Sequence, residues 1–182
     1  MRLRFTLSLT LVAGVLAVSE GARADVSSWA YVGFGPAVVE QDGEQDELWT
    51  LDMAVGLGSS PGPFVLGGLF RVQPYFGEGT DLALLVRGAT RGFVQGGFGL
   101  AVDAGGYQRL WNGDSTGGMA ALVLGAPWGI TLNATGGIGT NDVRFAGVTL
   151  GVDFARLTIY RTHGTNWFLN PFVTDEHGRG PR

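Results

Sequence analysis

Five acidic residues fall within eight positions, Glu40, Asp42, Glu44, Asp46 and Glu47, the densest set of oxygen donors in the chain. Oxygen-rich clusters hold Ca²⁺, which makes Glu40, Asp42, Glu44 and Asp46 candidate ligands. Their spacing departs from the EF-hand pattern D-x-[DN]-x-[DN]-G-x₅-E, so solvated loop charges are expected and no metal is predicted. Tyr107, Arg109 and Trp111 stand close together in a polar stretch. Exposed aromatics with an arginine form a contact patch for a partner or a sugar, or anchor a loop at a headgroup layer. Covalent catalysis has little to work with. A serine nucleophile needs an activating base, and both histidines, His163 and His177, come late in the chain. The serines outside the N-terminal segment, Ser27, Ser28, Ser59, Ser60 and Ser115, fall at ends or turns. Cysteine is absent, which excludes disulfides, thiolate metal sites and a cysteine nucleophile. Gly33-Phe34-Gly35-Pro36 and Gly136-Gly137-Ile138-Gly139 lack the Lys-Ser/Thr of a phosphate loop. No enzyme, no catalytic residue and no cofactor is expected.

The elements that must position these residues are strands. The chain has 182 residues, of which 32 are glycine, and hydrophobic residues make up 45%. Without a collagen period, that composition excludes collagen and argues against disorder. Glycine every few residues costs about 1 kcal/mol per helical position relative to alanine, so helices are disfavoured. Met1 to Ala24 reads as a signal peptide: Arg2 and Arg4, an apolar run from Leu7 to Val18, then Ala22-Arg23-Ala24 as the cleavage site. The domain expected to follow spans 25–162, with a tail at 163–182. Removing the segment leaves nine arginines and fifteen acids, a net charge of −6, and such a surface does not suit nucleic acid.

A two-residue period runs through the remainder. Trp49, Leu51, Met53, Val55 and Leu57 alternate with Thr50, Asp52, Ala54 and Gly56. Phe64, Leu66, Phe70 and Val72 lie on one parity of the next run, and Val94, Phe98, Leu100 and Val102 on one parity of another. Such alternation marks strands with two different environments. One face is large and apolar; the other is mostly glycine, alanine and threonine with isolated charges. A soluble barrel turns its large side chains inward. A transmembrane barrel turns them outward to lipid and keeps small or polar residues inside. The second arrangement matches, and only a closed barrel satisfies strand hydrogen bonds in hydrocarbon. Eight strands are predicted, at 28–38, 47–57, 64–73, 80–89, 93–103, 116–125, 129–137 and 143–154. Residues 156–161 and 166–173 allow an extension or a ninth and tenth strand. Long outer loops are expected at 39–46 and 104–115, with shorter inner turns. Trp29, Phe64, Phe93, Trp128 and Phe154 are assigned to an inner aromatic belt, and Trp49, Tyr75, Phe76 and Phe145 to an outer one. Inside, the expected register sets Arg71 opposite Thr50 and Asp81, with Asp52 diagonal. Asp52, Arg71 and Asp81 thus form a candidate lumen charge cluster, since buried charges need partners. A structural plug is the expected role, and a gate or narrow conduction path the alternative.

The export segment, the eight alternating stretches and Ala146-x-Val148-x-Leu150-x-Val152-x-Phe154 resemble the small outer-membrane β-barrels of the OmpA/OmpX type. The resemblance implies an antiparallel up-and-down transmembrane barrel in the bacterial outer membrane, with a structural, adhesion or small-solute role. Its implied partners are the lipid bilayer and the barrel-assembly machinery, which reads the aromatic-ended closing strand. The family's closing strand usually ends the barrel, whereas 28 residues follow Phe154 here. Two other readings remain: a soluble secreted or periplasmic lipocalin-like barrel holding an apolar ligand, and an outer-membrane lipid-modifying enzyme. The lipocalin-like reading requires Trp49, Leu51, Phe70, Val72, Phe98 and Val148 to point inward.

Overall fold

The computed structural model describes residues 26–94 and 97–158. The expected signal segment, His163, His177, the expected tail and the candidate strand at 166–173 lie outside the described residues. Eight strands run in order, β1 (Ser27–Gln41), β2 (Glu44–Gly58), β3 (Phe64–Tyr75), β4 (Gly79–Thr90), β5 (Gly99–Arg109), β6 (Thr116–Gly125), β7 (Ile130–Gly139) and β8 (Arg144–Asp153). Each pairs antiparallel with the next, and β8 pairs with β1 to close the barrel. Closure leaves no edge strand with unpaired backbone groups. Two short α-helices, α1 (Arg91–Val94) and α2 (Phe154–Thr158), sit at the terminal end, where β1 begins and β8 ends. The opposite end, which carries the β1–β2 turn, is the hairpin end.

Alternation decides which side chain faces where. Phe98, Leu84, Leu66 and Leu150 are 79%, 71%, 65% and 60% exposed on the outer wall. Asp52, Asp103, Arg109 and Thr50 are fully enclosed. Every strand adds to the apolar exterior, from Phe34 on β1 and Val55 on β2 to Leu132 on β7 and Leu150 on β8. The residues that a lipocalin-like barrel would turn inward are on this outer wall, with Trp49 56% exposed.

Several boundaries differ from the sequence expectation. The acidic stretch is no long loop: β1 and β2 stay paired to Gln41 opposite Glu44, joined by Asp42 and Gly43 alone. Both carry positive φ, 54° and 83°, as a two-residue hairpin turn with strand-compatible twist requires. β5 begins at Gly99 rather than 93 because α1 intervenes, and it continues through Arg109 rather than ending in a loop at 104. Residues 154–158 form α2 and do not prolong β8. The hairpin-end connections are short, at 42–43, 76–78, 110–115 and 140–143, so outer loops are no longer than inner ones. The aromatic belts are thinner than expected. Phe64, Trp128, Phe154, Trp49 and Phe76 face outward, whereas Trp29, Phe93, Tyr75 and Phe145 are buried inside.

Candidate functional site: a charge-filled lumen

Four arginines and four aspartates are buried in the barrel, Arg71, Arg87, Arg109 and Arg156 with Asp52, Asp81, Asp103 and Asp153. Strand register explains two pairs directly. On β4, Asp81 and Arg87 stand opposite Arg109 and Asp103 of β5. Near the hairpin end, Arg109 donates Nε to Asp81 Oδ1 at 3.0 Å and Nη2 to Oδ2 at 2.8 Å. Trp111 Nε1 also donates to Asp81 at 3.0 Å, and its ring lies 4.3 Å from the guanidinium carbon. Tyr75, Tyr107 and Phe145 complete an aromatic layer, with Tyr75 and Phe145 each 5.7 Å from that carbon.

At mid-height, Arg87 grips Asp103 through two hydrogen bonds of 2.7 and 2.8 Å. Such bidentate, charge-assisted pairs are the stronger kind. Arg71 reaches Asp103 at 3.1 Å, Asp52 at 3.3 Å and Thr135 Oγ1 at 3.3 Å. Asp52 also accepts from Asn133 Nδ2 and from Thr149 Oγ1, and the Tyr31 hydroxyl lies 3.0 Å from that same threonine oxygen. The tier therefore links β1, β2, β3, β4, β5, β7 and β8 across the lumen.

At the terminal end, α2 carries Arg156 into the barrel mouth. Its guanidinium donates to Phe93 O (2.7 Å), Gly97 O (2.6 Å), Ala126 O (3.1 Å), Ile130 O (3.3 Å) and Thr131 Oγ1 (3.2 Å). The Phe93 ring lies 4.5 Å from the guanidinium carbon. Asp153 Oδ1 accepts the backbone N–H groups of Ala30, Ala155 and Arg156, which fixes the turn from β8 into α2. Burial pushes the Arg156 guanidinium below its ordinary pKa, against the opposing pull of Asp153.

No protein-family model and no curated protein matches the chain. Among solved structures it is similar in fold to Ail, the attachment invasion locus protein of Yersinia pestis. One Ail structure, in complex with the heparin analogue sucrose octasulfate, is 12% identical with a TM-score of 0.46, over 69% of this chain and 96% of Ail. A second Ail structure is 13% identical with a TM-score of 0.46, over 71% and 97%.

Three expectations about the site are corrected by the geometry. Asp81 does not flank Arg71; it belongs to Arg109, and Arg71 stands opposite Ala54 and Ala83. The second carboxylate on Arg71 is Asp103, which the sequence argument did not include. Tyr107, Arg109 and Trp111 are no external contact patch, because β5 turns Tyr107 and Arg109 inward and Trp111 caps them. The missed signal was Asp-x₅-Arg at 81–87 and again at 103–109. Folded antiparallel, two such segments set each aspartate against the other's arginine. Glu40, Asp42, Glu44 and Asp46 are all exposed on the β1–β2 hairpin. Among the described residues no group of three or more histidines and carboxylates is placed to hold a metal ion.

Chemically, Arg71, Arg87 and Arg109 are neutralised by Asp52, Asp81 and Asp103, whereas Arg156 and Asp153 are held by main-chain groups and the Thr131 hydroxyl. Large side chains occupy space that glycine leaves. A β-carbon on Gly79 would stand 2.4 Å from Trp111, and one on Gly58 2.5 Å from Trp29. The glycine-rich inner face thus makes room for the aromatics and arginines that fill the barrel.

Proposed function

We propose that this chain is an integral outer-membrane barrel with a filled, non-conducting lumen, serving a structural or surface role rather than transport or catalysis. One observation carries the reading: a continuous apolar exterior encloses four buried arginines and four buried aspartates, the reverse of a water-soluble barrel. An apolar surface wrapping the whole wall far exceeds the few hundred Å² that soluble monomers expose. Lipid satisfies it, and the closed ladder leaves few main-chain groups for lipid to meet unpaired. The barrel-assembly machinery is the corresponding partner for folding, and a cleaved export segment the corresponding route. Extraction tests this. The protein should remain in the membrane fraction after a carbonate wash and require detergent. On a gel it should migrate faster unheated than boiled. Recovery as a monodisperse species without detergent would refute the proposal.

The hairpin end also bears on a surface role. Glu40, Asp42, Glu44, Asp46, Glu47, Glu78, Asp114 and Asp142 are exposed there, and Arg144 is the exposed cation among the described residues of that end. Such a face repels polyanions, so a heparin-like ligand is disfavoured for this chain. A surface role would instead favour cationic contacts.

A further inference from the structure

Among the described residues two prolines lie inside strands, Pro36 in β1 and Pro74 in β3. Proline has no N–H to give a ladder, and a gap accompanies each. Between β1 and β8 the pairing stops at Phe34 opposite Leu150 and resumes at Ala37 opposite Gly147. Between β2 and β3 it stops at Thr50 opposite Tyr75 and resumes at Met53 opposite Val72. Each gap spans equal lengths of both strands, so neither is a bulge. The two gaps flank one hairpin at nearly one height, since Pro36 stands opposite Trp49 and Phe34 opposite Leu51. Within the hairpin, pairing is unbroken from Ser27 opposite Gly58 to Gln41 opposite Glu44.

Side chains patch the breaks. The Thr50 hydroxyl lies 2.9 Å from Pro74 O and 3.2 Å from Leu51 O, with one proton to share between them. Outside, Trp49 stacks on Phe34 at 5.0 Å, and Phe76 meets Phe34 edge-on at 5.9 Å, spanning the β2–β3 gap. Behind that gap, Gln73 Oε1 and the Tyr75 hydroxyl are buried with no protein partner.

We propose that residues 35–50 form a rigid flap, hinged at Phe34 and Leu51, that swings out of the wall and opens a side portal. The portal admits water and small polar solutes to the upper lumen at Gln73 and Tyr75, while the barrel axis stays blocked. The aromatic trio is the latch that holds it closed. The two prolines place the hinge, because each sits at a break in a flanking ladder of a hairpin that is itself fully bonded; opening must also part the pairs of Ala37–Glu40 with Arg144–Gly147 and the 2.9 Å bond from Phe76 N–H to Trp49 O.

Hydrogen exchange by mass spectrometry on the full chain in detergent micelles tests this. Amides in 72–76 and 145–150 should exchange at least about tenfold faster than those in 101–106 and 119–124, as expected for a local opening unit. A disulfide supplies the second arm, since the chain contains no cysteine of its own. A β-carbon on Gly147 would lie 3.1 Å from that of Ala37, within a small shift of disulfide geometry. In Ala37→Cys/Gly147→Cys, oxidation should slow exchange at the β2–β3 gap as well as at the bridged seam, and reduction should restore it. Pro74→Ala, which restores a main-chain donor on one flank, should slow exchange at the β1–β8 gap as well as at the β2–β3 gap. Wild-type protection at both gaps equal to that of β5 and β6 overturns the proposal. So does a bridge that slows only its own seam, because the hairpin would then not move as one body. If the double variant does not fold, wild type against Pro74→Ala decides.

Discussion

Arg87 and Asp103 show what a single buried charge depends on. Both are enclosed, and each satisfies the other through two hydrogen bonds. Removing one partner leaves the other desolvated and unpaired, a loss of about 3–5 kcal/mol for buried pairs. Arg87→Met should therefore lower the urea midpoint of the micelle-bound barrel sharply. Asp103→Asn combined with Arg87→Met should recover part of that loss, although Asp103 also serves Arg71. A double variant no more stable than Arg87→Met would contradict the pairing. Gly125 is a second informative position. Its absent β-carbon would lie 2.4 Å from the Arg156 guanidinium, so Gly125→Ala should expel that group from its ring of oxygens. The expected sign is faster proteolysis at 154–158 with the strands still protected. Equal cleavage rates in variant and wild type would show that the mouth accommodates the methyl.

At the scale of elements, the β1–β2 turn and α2 behave differently from what local pattern suggests. Asp42-Gly43 is a strong hairpin signal, yet it lies amid acidic residues that read as a solvated loop. Gly43 has φ 83° with open space around it, so backbone conformation alone is at issue there. Gly43→Val should destabilise by about 1–2 kcal/mol, fraying the tip while leaving the charged tiers intact. Amide exchange confined to residues near 38–47 is the expected outcome, and collapse of heat-modifiability would contradict it. In α2, alternation continues through Leu157, but Asp153 accepts three backbone N–H groups and bends the chain inward. Those donors come from β1 and from α2 itself, so this bend depends on barrel closure and could not be read from 154–158 alone.

For the whole molecule, orientation governs behaviour. The outer wall should tolerate apolar exchange but not charge: Leu150→Arg should cost about 2–4 kcal/mol, as charges at the midplane of a barrel's lipid face do. Refolding into vesicles measures it, and a neutral result would argue against a lipid-facing Leu150. Tiers led by Arg109, Arg87 and Arg156 fill the lumen, so planar bilayers containing the wild-type barrel should show no steady conductance along the axis. Persistent channels would refute the filled lumen. The alternation of large and small residues was sufficient, by itself, to specify strands and to say which face is apolar, because a side-chain period of two needs only nearest neighbours, but it left eight to ten strands open, and only closure of β8 onto β1 gave eight among the described residues. It also placed Asp52 and Arg71 on the inner face. Which carboxylate meets which arginine was decided only by the closed barrel. Cross-lumen contacts such as Arg71 with Asp103, or Arg156 with Phe93, join residues far apart in sequence whose positions follow from register and closure. A change of two residues in register leaves every parity unaltered while exchanging every partner.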